Sequence, residues 1–145
     1  MTDRSAHHRK LERMYLGAPI NRYFQPRIEI GDGRAAVSIP IREEFFHAAH
    51  AAHGAIYFKA LDDAAFFAAN SLVEDTFVLT VSFNIHLTRP ISSGEIRATA
   101  EVVHNSRRLL IAEAVAVDSE GREVARGTGM FMRSDTPLSP DLGYA

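Results

Sequence analysis

His53-Gly54-Ala55-Ile56-Tyr57-Phe58-Lys59-Ala60-Leu61-Asp62-Asp63-Ala64-Ala65 opens with a histidine and a glycine and continues as a helix apolar on every side, yet two acids stand at its middle. A helix greasy all round must be wrapped by the rest of its domain. A carboxylate inside it costs stability unless it is paired, protonated or useful. Asp62 and Asp63 fall about 100° apart around the helix, so they cannot face one site equally. Lys59 precedes them by three and four residues and is able to pair with either.

Working outward, the chain before this helix is short-range in character. Residues 10–16 carry Leu11, Met14 and Tyr15 at helical spacing before Gly17 and Pro19, which predicts a cap or lid helix within an N-terminal segment of residues 1–25. Residues 27–30 and 34–41 read as two strands joined by Gly31-Asp32-Gly33, a hairpin composition. Residues 43–52 are irregular, and the apolar helix follows from about 54 to 71.

After the helix everything reads as strand. From Thr76, the residues Phe77, Leu79, Val81, Phe83, Ile85 and Leu87 alternate with Val78, Thr80, Ser82, Asn84, His86 and Thr88, which predicts one buried face and one mostly polar face. Pro90 and the turn Ser92-Ser93-Gly94 lead to a second alternation through Ile96, Ala98, Ala100 and Val102. Two further strands, residues 108–117 and 123–132, are expected to complete an antiparallel meander, and the tail from Ser134 is expected to be loose. The expectation is a single α+β domain over residues 1–145, a sheet curled around one helix, with a flexible tail at residues 134–145. One helix leaves strand edges uncovered, so edge pairing into a dimer is expected.

Composition narrows the function classes. A net charge of −2 without a basic block leaves no electrostatic footprint for nucleic acid, and the lack of cysteine excludes disulfides, thiol nucleophiles and thiolate metal sites. The polar N-terminus is unlike a secretory signal, the longest apolar run is too short and too charged to span a bilayer, and a cytoplasmic protein is expected.

The stretch Ala52-His53-Gly54-Ala55, with Asp62 nine positions after the histidine and Ala68-Ala69-Asn70-Ser71 beyond, resembles the His-Gly-Gly and Asp signature of hotdog-fold acyl-CoA thioesterases, notably the phenylacetate-degradation type. Residues 80–85 through Arg89-Pro90 resemble that family's central strand, and Asn105-Ser106-Arg107-Arg108 its Gly-Arg-like hairpin. The resemblance covers residues 28–133 and implies a hotdog fold.

It also implies an acyl-CoA substrate and a homodimer, able to pair into a tetramer, whose site lies at the subunit interface. Gly54 and Ala55, entered through His53, would supply backbone amides that polarise the thioester carbonyl, as a helix start can. Asp62 would activate water or attack directly, leaving Asp63 to pair with Lys59, and Thr80 would stand near the water. Relatives have an asparagine six residues before the histidine, where this chain has His47, and a glycine three before it, where it has His50. His47 could replace that asparagine. His47, His50 and His53 recur at spacing three, but their Ala and Phe neighbours offer no further ligand, so no metal and no cofactor is expected. Arg107 and Arg108 match basic positions that in relatives meet coenzyme A phosphates, for which guanidinium is suited, and Arg89 before Pro90 is a weaker candidate for the same duty. A non-catalytic acyl-CoA-binding dimer and an acyl-thioester hydratase or dehydratase are the alternatives.

Overall fold

The computed structural model describes residues 3–145; Met1 and Thr2, the first residues of the expected cap, lie outside them. Around the central helix α3 (Gly54–Asn70) run six antiparallel strands. These are β1 (Arg27–Gly31), β2 (Arg34–Pro40), β3 (Thr76–Leu87), β4 (Glu95–Asn105), β5 (Leu110–Val117) and β6 (Glu123–Pro137). The order across the sheet is β1-β2-β4-β5-β6-β3. Ala60, Leu61, Ala64, Ala65, Ala68 and Ala69 of α3 are fully buried. A helix face built of alanine lets the sheet come close on several sides, which is why the helix can be apolar all round.

The remaining side of α3 is covered by α1 (Ser5–Gly17), longer at both ends than the periodicity predicts, and by the short α2 (Ile20–Phe24). Leu11, Met14 and Tyr15, the expected apolar stripe, are buried in the core. The β1–β2 turn is the expected hairpin, with Gly33 at φ 67°. Among the described residues, no helix is long and apolar enough to cross a membrane.

Three expectations need correction. The last four strands are not a simple meander: β3 pairs with β6, whereas β4 lies between β2 and β5. Residues 88–94 form no hairpin turn. They cross the start of α3, where Ala52 N donates to Ile91 O, and deliver the chain to β2, where Ile41 N donates to Gly94 O.

The alternation along β3 is also interrupted. Register shifts next to Phe77 and at Val81 flip the faces, so Val78 is buried, Leu79 and Val81 are half exposed, and Phe83 and Ile85 return inward. A bulge inserts one unpaired residue and so reverses which parity faces the core.

Residues 134–145, expected to be loose, continue β6 to Pro137 and end in a 3-10 turn at Pro140–Leu142. The buried His7 ring of α1 ties them down: one nitrogen lies 2.7 Å from Tyr144 Oη and the other 2.8 Å from Asn70 O. Burial holds the His7 imidazole below its ordinary value, which keeps this clasp neutral.

Asn70 fixes where α3 gives way to β3. Its buried amide donates to Val73 O and Thr76 O, both at 3.0 Å, and its carbonyl oxygen accepts from Val78 N at 3.0 Å. Asn70→Ala strands three backbone groups and is expected to cost about 3 kcal/mol in a denaturant titration. A loss below about 1 kcal/mol would show that the turn is held by something else.

Candidate active site

His53 begins α3 as an N-cap: its backbone is extended, and its ring Nδ1 accepts the Ala55 N–H at 2.9 Å. An accepting Nδ1 leaves Nε2 as the ring's N–H donor. This changes the expected pair of amide donors. Ala55 N–H is occupied by the cap, whereas Gly54 N–H has no acceptor within the protein among the described residues. Leu87 at the end of β3 lies over Gly54, its Cδ1 3.1 Å from where a Cβ would stand, so a side chain at Gly54 would crowd the approach to that amide.

Two turns further along, α3 lays a stripe across β3. Phe58, Asp62 and Phe66 recur every four residues and so share one face. Phe58 meets Phe83 edge-on at 5.6 Å, Asp62 Oδ1 accepts from Thr80 Oγ1 at 2.9 Å, and Phe66 meets Phe77 at 5.1 Å. The carboxylate therefore sits between two aromatic pairs with one hydroxyl for company. Burial pushes the Asp62 carboxyl up to about 6; the Thr80 hydrogen bond opposes the rise, the Asp63 carboxylate adds to it and Lys59 subtracts. Such a group is ionised at neutral pH but still a competent proton acceptor.

The aromatic frame depends on two glycines. A Cβ at Gly127 would stand 2.6 Å from Phe83 Cε1, and one at Gly129 would stand 2.7 Å from Phe83 Cδ2. The Phe83 ring thus lies on bare β6 backbone. Neither glycine was singled out from the sequence, since a glycine in a strand marks close approach without naming what approaches.

Asp63 looks the other way. Its Oδ2 accepts from Tyr15 Oη of α1 and from Lys59 Nζ, both at 2.6 Å. The expected Lys59 partnership is present, and Tyr15 is an addition that no local spacing could announce. The Lys59 ammonium also lies over the Tyr15 and Phe24 rings, at 5.4 and 5.0 Å.

The other expected residues divide between two ends of the molecule. His47 and His50 lie exposed in a loop closed by the Phe46–Ala52 bridge; His47 Nδ1 accepts Ala49 N–H at 3.0 Å, and His50 adopts φ 65°. Neither ring is bonded to Asp62. Arg89 follows β3 at the Gly54 end, exposed, with its carbonyl accepting from Tyr57 Oη at 2.8 Å. Arg107 and Arg108 are exposed in the β4–β5 turn, held by Arg133, which donates to Ser106 O and Arg107 O at 3.1 and 2.8 Å. That turn lies at the Asp62 end, because Leu110, Phe131 and Thr80 stand in one row across β5, β6 and β3. Arg133 is therefore a third basic residue there, hidden from a sequence reading by its 26-residue separation from Arg107.

One long helix gripped by a curved antiparallel sheet in this strand order is the hotdog fold. The chain belongs to the thioesterase superfamily, whose family model matches residues 49–125. "Putative esterase Rv1847" of Mycobacterium tuberculosis is 32% identical over 103 residues, 68% of this chain and 74% of that protein. A thioesterase family protein from Silicibacter pomeroyi superposes with a TM-score of 0.80 at 29% identity, over 87% of this chain and 96% of that one. The PaaI protein from the phenylacetic acid degradation operon of E. coli shares the fold, with a TM-score of 0.82 at 21% identity over 93% and 100%.

Proposed function

We propose that the protein hydrolyses acyl-CoA thioesters as a homodimer, with Asp62 of one subunit as base or nucleophile and the Gly54 amide of the other polarising the thioester carbonyl. The observation that carries this reading is the half-desolvated Asp62 carboxylate, fixed by Thr80 and raised to about 6. A structural acid gains nothing from such surroundings, whereas a proton acceptor working near neutrality does.

Distance supplies the second subunit. Asp62 and Gly54 are eight residues apart on one helix, about 12 Å along its axis, so one chain cannot bring both to a single carbonyl. β3 is an edge strand of 12 residues with exposed Leu79, Val81 and Leu87. If two copies pair antiparallel along β3 about a two-fold axis near Phe83 and Asn84, Thr80 of one stands across from the partner's Leu87. Since Leu87 covers Gly54, this register sets each carboxylate beside the other chain's helix start.

In this arrangement His53 positions the amide end by holding Ala55 N–H, and His47 stands at its rim. Arg89 of one subunit, with Arg107 and Arg108 of the other, would flank the site for coenzyme A phosphates. Water held by Asp62 and Thr80 adds to the carbonyl carbon as Asp62 takes its proton, and Gly54 N–H meets the oxyanion. Collapse of the tetrahedral intermediate breaks the C–S bond, releasing the carboxylic acid and coenzyme A thiolate, which takes up the proton.

The test is a panel of short-chain, medium-chain and aryl-acyl CoA esters with released thiol as the readout. Thiol release with kcat/KM rising as Asp62 ionises, through an apparent pKa near 6, is the expected result. Coenzyme A esters that raise the melting temperature without being cleaved would support the non-catalytic binding reading instead. Loss of enoyl absorbance without thiol would support hydration.

A further inference from the structure

We infer that Asp63 is a positioning residue for Asp62: it draws the Lys59 ammonium to the α1 side of the helix, so that Asp62 meets the substrate with a hydroxyl beside it and no cation. The inference rests on Asp62 being the working carboxylate.

The geometry is a choice that Lys59 has made. From its place on α3 it is three residues from Asp62 and four from Asp63, and both separations allow an ion pair. It takes Asp63, at 2.6 Å, and lies against Tyr15 and Phe24, while Tyr15 Oη closes the other side of the same Oδ2. Both partners are largely buried, with 12% and 17% of their side chains exposed. Such a pair is costly to break because either half would be left charged and alone.

Around Asp62 the charged and titratable groups are few. α3 itself brings Lys59 and Asp63, and α1 brings Tyr15, whose hydroxyl is held protonated by burial and by the Asp63 charge. β3 brings the Thr80 hydroxyl, and β6 the uncharged Phe131 ring beside Phe66. Removing Asp63's charge therefore frees one cation with Asp62 three residues along the same helix, within reach of its charge.

The consequence has a sign. With Asp63→Asn, Lys59 keeps its charge and turns to Asp62, favouring the carboxylate. With Lys59→Met, the Asp63 carboxyl, which burial already holds above its ordinary value, loses the ammonium that opposed the rise and is driven further up, so neither a cation nor a lasting anion stands beside Asp62. The double variant has neither charge. A pair that stays in place when its partner is neutralised would leave Asp62 only the weak through-space change of a lost charge, well short of a new ion pair.

The experiment follows the Asp62 carboxyl carbon by NMR in aspartate-labelled full-length protein without substrate, assigned against Asp62→Asn. The expected result is a midpoint about one pH unit or more lower in Asp63→Asn, no such fall in Lys59→Met, and a return to near wild type in the double variant. Coincident midpoints in Asp63→Asn and wild type overturn the inference, as does a double variant that keeps the Asp63→Asn shift. If Lys59→Met does not fold, the Asp63→Asn and double variants still give that comparison. The acid limb of kcat/KM for thioester cleavage should move with the NMR midpoint. A midpoint that moves while the limb stays would support Asp63's hold on Lys59 and overturn Asp62 as the base. The two readings therefore fail separately.

Discussion

Asp62→Asn is expected to lower kcat by about a thousandfold and, above pH 7, to raise the melting temperature by on the order of 3 °C. Both effects come from one cause. Folding takes the Asp62 carboxylate out of water between the Phe58–Phe83 and Phe66–Phe77 pairs and returns a single hydrogen bond from Thr80. An asparagine keeps an oxygen for the Thr80 hydroxyl but carries no charge to desolvate. The sign follows from linkage. The folded carboxyl titrates near 6, above its ordinary value of 3.8, so its contribution favours the folded state in acid and is lost as pH rises through that interval. The stabilisation by Asn should therefore be full above pH 7 and vanish below about pH 4. Melting curves of the two proteins at pH 4 and pH 8, with thiol release at pH 8, decide it. Turnover within tenfold of wild type would remove Asp62 from the chemistry, and equal melting differences at both pH values would remove the desolvation argument.

The part of this site legible in the sequence is the part encoded by local spacing. Nine residues from His53 to Asp62, the all-apolar helix between them and the Lys59–Asp63 interval can be read along the chain, because helix geometry converts number into direction. Tertiary pairing cannot be read in that way. Nothing in residues 76–88 announces that β3 skips its sequence neighbour for β6, or that a bulge at Val81 turns Thr80 inward instead of Leu79. The alternation pointed to the wrong face at Leu79 because period-2 arithmetic assumes an unbroken ladder.

Competition for a donor or a partner is likewise invisible until the atoms are placed. Gly54 and Ala55 are equivalent as neighbouring amides in a sequence, but only the structure reveals that His53 Nδ1 claims one of them. The clasp of Tyr144 on His7 joins residues 137 positions apart, and a tail rich in proline gives no hint of it. Long-range contacts of this kind explain why the strand elements were readable and their order and ends were not.

The β3 edge makes the second large effect. Val81→Asp combined with Leu87→Asp is expected to give a folded monomer that has lost at least about a hundredfold in kcat/KM. Val81 and Leu87 are 54% and 51% exposed in the isolated chain, so acids there cost the protomer little. In the proposed pair, each new acid is instead brought against the partner's strand, where charge is expensive to bury. Light scattering gives the assembly, far-ultraviolet circular dichroism the fold, and thiol release the activity. Leu87 borders Gly54, so the single Val81→Asp variant, which leaves Asp62, Thr80 and that helix start untouched, is the control: turnover lost in its folded monomer comes from separating one chain's carboxylate from the other's helix start. Addition of an Asp62→Asn protein whose β3 is unaltered should not restore activity to the double acid, because the edge of only one strand is then compatible. A monomer with undiminished turnover would mean that a single chain closes the 12 Å gap by itself, and the two-subunit site would fall with it.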